Sequence, residues 1–167
     1  MMRKSLVVML AMAVVAIVAY TLQAQEGEKW LDPANCYYCQ PLTQTEGLME
    51  NLGWENYNIK NGSISVTTYK PEWKEKWKAA SAEMQKRWMA MPTEAEHPKC
   101  GMCKAWSEVP MDRVSWENVE FTGGELGITT STDTAVVAQL HSITDKTRQA
   151  MEDWMKAEAE AKAAAKQ

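Results

Sequence analysis

Only two histidines and a single phenylalanine occur in 167 residues, and much chemistry drops out with what is missing. No Ser-His-Asp order, no glycine-rich phosphate loop and no paired-carboxylate motif is present, so hydrolase and nucleotide chemistry have no support. Basic residues never cluster, and in a chain of formal charge -4 nothing would neutralise a run of phosphates. Nucleic acid is excluded as a partner on that ground. Long apolar sequence is missing too: the run from Leu6 to Tyr20 holds 15 residues, fewer than the roughly 20 that a membrane span needs.

That run follows Arg3 and Lys4 and is followed by a polar exit, Thr21 to Ala24. A basic start, a short apolar stretch and a small residue at the end form the layout of a signal peptide, residues 1–24, cut after Ala24. No cysteine follows the cut, so no lipid anchor is expected. Losing the +2 of Arg3 and Lys4 takes the charge from -4 to -6, and 167 − 24 leaves 143 residues. That length suits one compact domain, exported to a periplasmic or extracellular destination, with no stable membrane span after cleavage.

What the chain does contain is a stretch written twice. Residues 54–68 read WENYNIKNGSISVTT and residues 116–130 read WENVEFTGGELGITT, an offset of 116 − 54 = 62. Trp54, Glu55, Asn56, Gly62, Thr67 and Thr68 recur as identical residues, while Ile59, Ile64 and Val66 map onto Phe121, Leu126 and Ile128. Each copy reads as a hairpin. With Asn61-Gly62 as a two-residue turn, Lys60 faces Ser63, Ile59 faces Ile64 and Tyr57 faces Val66. With Gly123-Gly124 in the same role, Phe121 faces Leu126 and Val119 faces Ile128. The period of two then collects the apolar residues on one face and Asn58, Ser65, Thr67, Glu120, Glu125 and Gly127 on the other.

An isolated hairpin is marginal in water, so a helix behind each copy is expected to cover its apolar face. Pro71 suits a first helical turn, and Trp73, Trp77, Ala80, Met84 and Trp88 form one stripe at helical spacing, ending near Pro92. Val136, Leu140, Ile143 and Met151 repeat that stripe, with Thr147 interrupting it and Ser131 or Asp133 as the cap. A shorter helix is expected from Thr43 to Leu52, closed at Gly53. The expected fold class is α+β: two ββα repeats that form a four-stranded antiparallel sheet with two helices on one face, related by an approximate two-fold axis. The divisions are a first repeat at 25–91, a connector at 92–99, a second repeat at 100–156 and a polar helical tail at 157–167.

A C-x-x-C pair precedes each hairpin, Cys36 with Cys39 and Cys100 with Cys103. Two such turns supply the four thiolates of a tetrahedral zinc site, because a two-residue spacer lets one turn present both sulfurs to one ion. Export favours the alternative of structural disulfides, for which four cysteines allow three connectivities. Two further readings stay open. Cys100-Gly101-Met102-Cys103 superficially resembles the motif of thioredoxin-like oxidoreductases, with His97 and Lys99 beside it, although no βαβ setting precedes it. His97, Met102 and Met111 would add soft donors for a Cu(I) carrier.

All eight tryptophans follow Ala24. Trp54 and Trp116 are expected on the sheet side away from the helices, where with Trp30 and Trp106 they would form a stacking platform for a partner or shield the cysteines. His141 has no recognisable partner in the sequence, and Glu55 with Glu117 reads as a strand-edge polar pair. The function expected is non-enzymatic, a binding or scaffold domain around a structural Zn site made by Cys36, Cys39, Cys100 and Cys103, with a protein or small ligand as partner.

Overall fold

A computed structural model describes residues 29–90 and 97–164. The proposed signal peptide lies outside the described residues, as does most of the proposed connector. Among the described residues no helix is long and apolar enough to cross a membrane.

The elements follow the repeat. Helix α1 (Gln40–Gln44) leads through a 3-10 turn (Met49–Asn51) into strands β1 (Leu52–Ile59) and β2 (Gly62–Tyr69). A second 3-10 turn (Pro71–Trp73) opens α2 (Lys74–Ala90). The second half gives α3 (Gly101–Ser107), a 3-10 turn (Met111–Arg113), β3 (Ser115–Phe121), β4 (Gly124–Thr130) and α4 (Thr134–Ala164). The class is α+β, with a four-stranded antiparallel sheet in the order β1-β2-β4-β3. The two second strands meet in the middle, where Ser65 pairs with Gly127, its own equivalent at 65 + 62. The approximate two-fold axis therefore passes through that pair. Hydrogen bonds repeat across it: Tyr69 donates its N–H to the Gly123 carbonyl at 2.8 Å and Ser131 donates to the Asn61 carbonyl at 2.9 Å.

Three expectations are corrected. The register is two residues away from the one expected: Ile59 pairs with Gly62 and Tyr57 with Ile64, while Phe121 pairs with Gly124 and Val119 with Leu126. Lys60-Asn61 and Thr122-Gly123 are the turns, and Gly123 takes the positive φ of 88°. The conserved role of Gly62 and Gly124 between the copies is thus not turn flexibility. A Cβ on Gly62 would collide with the Thr129 carbonyl oxygen, and one on Gly124 with the Thr67 carbonyl oxygen. Glycine is needed where β2 and β4 approach each other closely.

The second correction concerns which face is covered. Parity survives a two-residue shift, so Tyr57, Ile59, Ile64 and Val66 do share a face, but it points away from the helices, and Tyr57 is 48% exposed. The helices pack on the opposite face, chiefly over β1 and β2, where it carries Leu52, Trp54, Ser63, Ser65, Thr67 and Tyr69; β3 stays exposed, Trp116 to 53%. Ser63, Thr67, Tyr69 and Thr129 are buried there. Helix α4 packs on β1 and β2, and Asn58 donates to Asp145 at 2.9 Å. His141 is pinned to the first hairpin, its Nε2 lying 2.9 Å from the Ile59 carbonyl and 3.1 Å from that of Gly62, so Nε2 carries the proton. Helix α2 reaches β3 through Lys78, 2.8 Å from Glu120. That contact holds the Glu120 carboxyl below and the Lys78 ammonium above their ordinary pKa values.

Third, the helix expected from Thr43 to Leu52 is replaced by α1 and the 3-10 turn, and α3 was not expected at all. The first stripe holds, and the second holds as far as Ile143, Met151 belonging to neither core cluster. Trp73, Trp77, Ala80, Met84 and Trp88 join one core cluster, and Val136, Leu140 and Ile143 join another. Thr147 interrupts the second stripe because its hydroxyl has partners: it accepts the Trp30 indole N–H at 3.0 Å and donates to the Ile143 carbonyl at 2.7 Å. Asp133 caps α4, accepting the Ala135 N–H at 2.9 Å. That bond, with Arg113 at 2.9 Å, keeps its carboxyl below the ordinary range.

The close approach of β2 and β4 yields a contrast between glycines. Gly62→Ala should destabilise the domain by about 3 kcal/mol or more, since backbone must move to admit the methyl. Gly127→Ala, whose Cβ would find its nearest neighbour at 3.5 Å, should stay within about 0.5 kcal/mol of the parent. Urea unfolding midpoints of the two variants measure the difference.

Candidate metal centre

The two C-x-x-C segments are short turns running into short helices. Cys36 closes its turn by accepting the N–H of Cys39 at 3.0 Å and of Gln40 at 2.9 Å, and Pro41 near the start of α1 suits the first helical turn. Cys100 sits immediately before α3 and accepts the Lys104 N–H at 3.0 Å. The turns are locked to each other and to the lead-in segment. Tyr37 donates its N–H to the Pro98 carbonyl at 2.8 Å, while Gly101 and Met102 donate theirs to Lys29 and Trp30 at 3.1 and 3.0 Å. Gly101 permits this, because a Cβ there would lie 3.2 Å from the Trp30 Cα.

These ties bring all four cysteines together. Their sulfurs lie within 4.8 Å of one another, those of Cys39 and Cys103 at 3.5 Å. All four thiols are free and buried, with exposures of 0% for Cys36, 7% for Cys39, 4% for Cys100 and 5% for Cys103. Four sulfurs held ~2.3 Å from one ion in a tetrahedron stand ~3.8 Å apart. The observed spread brackets that value, so the residues fit such an ion. A disulfide requires ~2.05 Å, and no sulfur pair in the structure is bonded.

Packed this closely, the thiols perturb one another. Cys36 is held far below its usual pKa, chiefly by the Cys100 side chain, and Cys100 is lowered to about 7, chiefly by Cys103. Cys39 and Cys103 move the other way, each pushed up first by Cys100. The physical cause is that four adjacent buried sulfurs without a cation can stabilise thiolate on some members only by keeping protons on the others. A divalent cation removes that conflict, since it allows all four to ionise.

The walls of the site come from the α2 stripe. Tyr38 meets Trp88 edge-on at 5.1 Å, and Trp77, Ala80, Leu48 and Tyr69 complete the same buried cluster. Arg87, near the end of α2, donates to the Tyr37 carbonyl at 2.6 Å and lies 4.8 Å over the Tyr37 ring. Lys99 lies 5.7 Å over the Tyr38 ring. These two side chains flank the C-x-x-C turns, and Arg87 is also ion-paired with Glu83 at 3.2 Å. The Trp77 indole N–H is buried in this cluster without a partner among the described residues.

The other sequence candidates are placed as follows. His97 is not among the clustered ligands; its ring stacks on Tyr37 at 3.9 Å. Met102 is half-buried against the cysteine cluster, and Met111 is exposed in its 3-10 turn. Trp54 and Trp116 are on the helix side of the sheet, which corrects the expectation that they lie on the opposite side. Strand parity decides this, for Trp54 pairs with the buried Thr67 and Trp116 with the buried Thr129. Trp54 donates to the Ser65 hydroxyl at 3.0 Å. Trp116 donates to the Asn118 side chain at 3.0 Å and its ring centroid is 5.7 Å from that of Trp106. Trp30 packs instead against the second core with its indole on Thr147. Trp106 packs on the same core as Trp30 and lies beside Trp116, whereas Trp54 is on the other edge strand. Sequence reasoning missed Arg87 and the Lys29-Trp30 clamp. Both act through backbone carbonyls, which leave no residue pattern to read.

Comparison with protein-family models, curated proteins and solved structures returns no match. What the site does is argued from its own geometry.

The Arg87 tie is testable by itself. Arg87→Met should cost about 1–2 kcal/mol in urea unfolding, because a mostly buried charged donor to the Cys36–Cys39 turn is lost. Lys86→Met, one residue away on a side chain 78% exposed, should change the midpoint little.

Proposed function

We propose that the protein is an exported, non-enzymatic binding or scaffold domain in which Cys36, Cys39, Cys100 and Cys103 hold one structural Zn-type ion that ties the two ββα halves together. The observation that carries this reading is the convergence of four buried sulfurs, two from each half, within 4.8 Å. Four sulfur donors favour zinc or another thiophilic ion over calcium or magnesium, which take oxygen ligands. Bound there, the ion would supply four metal–thiolate bonds and join the C-x-x-C turns. Closure of the site speaks for a structural ion. A catalytic site keeps an open coordination position, and a redox-active thiol is partly exposed, whereas all four cysteines are buried.

A second reading rests on one distance. Cys39 and Cys103 approach within 3.5 Å, so in an oxidising compartment the same segments would be joined by a disulfide between the halves. The two readings separate on protein purified under non-reducing conditions from its own compartment. The structural-ion reading expects about one zinc per chain, no disulfide, and four thiols released by a chelator. Metal-free protein without free thiols would support the disulfides, and metal-free protein that reduces insulin would support an oxidoreductase. Chelation should also lower stability by about 4 kcal/mol relative to a thousand-fold excess of free zinc over Kd. Cys39→Ser should abolish both the zinc and its stabilising effect.

A further inference from the structure

The sheet has two large faces, and among the described residues one helical layer packs on only one of them, leaving the edge strand β3 exposed on both sides. On the uncovered face two rows run across all four strands. Glu55, Val66, Leu126 and Val119 make one row, and Tyr57, Ile64, Ile128 and Glu117 make the next. Adding or subtracting 62 converts one row into the other, so the face carries the two-fold symmetry of the repeat. Val66, Leu126, Ile64 and Ile128 fill its centre. Around them Tyr57 is 48%, Val119 39% and Phe121 42% exposed, so large apolar groups contact water across the width of the sheet. The only carboxylates on the two rows are Glu55 and Glu117, at diagonal corners. The Tyr57 hydroxyl donates to Glu55, and the carboxylate raises the phenol pKa, so the hydroxyl remains a donor.

We propose that this face is an interface with a second copy of the same chain, packed sheet to sheet in a dimer with helices on both outer sides. Two features of the face select a second copy. The first is its charge layout. If the second copy is turned over about an axis along or across the strands, each carboxylate corner falls over the Tyr57 or Val119 corner of the second copy, never over a carboxylate. The face can therefore pack on itself with no like charges opposed, which a two-fold interface between identical chains allows. The second feature is area. Four strands about 4.8 Å apart and about seven residues long present about 450 Å² of flat surface, so two corrugated faces bury on the order of 1,000 Å². That lies near the lower limit for a specific interface and suits a reversible dimer. Aligned sheets pack about 10 Å apart, as in sandwiches.

The first described residues do not supply a cover. Lys29 is tied to Gly101 and Trp30 to Thr147, both against the helical layer. Once residues 1–24 are removed, only Gln25-Glu-Gly-Glu28 precedes Lys29. Those four residues reach at most about 14 Å and carry no large apolar side chain.

The proposal does not depend on the metal reading, and its test separates the two. Sedimentation equilibrium is run on the protein purified from its own compartment, its N-terminus read by mass spectrometry, at concentrations up to about 200 µM. A reversible dimer with Kd of about 1–50 µM is expected. Ile128→Lys, at the centre of the face, should weaken it at least ~100-fold while circular dichroism and bound metal stay as in the parent. Val119→Lys, on an already exposed edge position, is the second variant should Ile128→Lys fold poorly. Three outcomes overturn the proposal: a parent that stays monomeric throughout, a dimer that a folded lysine variant leaves intact, or a monomer that retains Leu6–Tyr20 and protects the face with it.

Discussion

The close approach of β2 and β4 is the constraint on which the rest of the structure depends. It is the one place where backbone ladders join the two halves, and it centres on Ser65 and Gly127. At both ends of that ladder the chains come so near that only glycine fits, at Gly62 and at Gly124. The turn of each hairpin is then fixed by the final strand residues of the other, through the Tyr69 and Ser131 amides. With that pairing set, each half has one place to go, and the segments before and after the hairpins are brought to the same side of the sheet. Duplication has a physical basis here, because a lone ββα unit offers a two-stranded ribbon that is marginal in water, whereas two units share a four-stranded sheet.

The thiols are a consequence of this geometry. The lead-in segments pass beneath the α2 stripe, and Trp77, Trp88 and Tyr38 bury the sulfurs almost completely. Burial without a cation sets the thiols against one another, some pulled down and others pushed up by the same contacts. A free C-x-x-C turn tolerates many arrangements, but four sulfurs within 4.8 Å at the centre of an aromatic cluster do not arise from hydrophobic packing alone. Alanine or leucine would fill the same volume without the cost of crowding ionisable groups. Arg87, itself paired with Glu83 at 3.2 Å, fixes the first turn through the Tyr37 carbonyl.

Much of this was legible in the sequence, and the failures share a cause. The repeat, the antiparallel sheet and the helical stripes follow from periodicity and from the offset of 62, whereas the cysteine pairs are offset by 64 and the sequence offers their convergence only as one reading beside disulfides. Face membership followed too, since parity is unaffected by a shift of two. Register did not. Asn61-Gly62 reads as a turn because glycine tolerates positive φ, but the glycine is there to let another strand approach, and no local pattern distinguishes the two uses. Coverage was misjudged for a related reason. Both faces carry large side chains, and the one with Ile64, Val66, Leu126 and Ile128 is the more apolar, so it was assigned inward. The tryptophan stripe of α2 faces Tyr69, Leu52 and the cysteines instead. Helix α3 escaped because seven residues with no full stripe give no periodic signal.

The sheet is thus the more apolar on the side that no other described element covers. The helix-covered face is rich in Ser63, Ser65, Thr67 and Thr129, groups that pair across strands and accept tryptophan N–H bonds such as that of Trp54. A hydroxyl-lined face can be buried when its polar atoms are hydrogen-bonded, as Ser65 is by Trp54 of the neighbouring strand. The outer face has no such need, since Ile, Val and Leu gain simply by leaving water. A sheet that is polar toward its own helices and apolar toward solvent is inverted with respect to a solitary domain. The inversion is resolved when two such faces meet: the aliphatic rows become the centre of a four-layer molecule, and the two thiol clusters lie apart in its outer layers, each enclosed by the helices of its own chain.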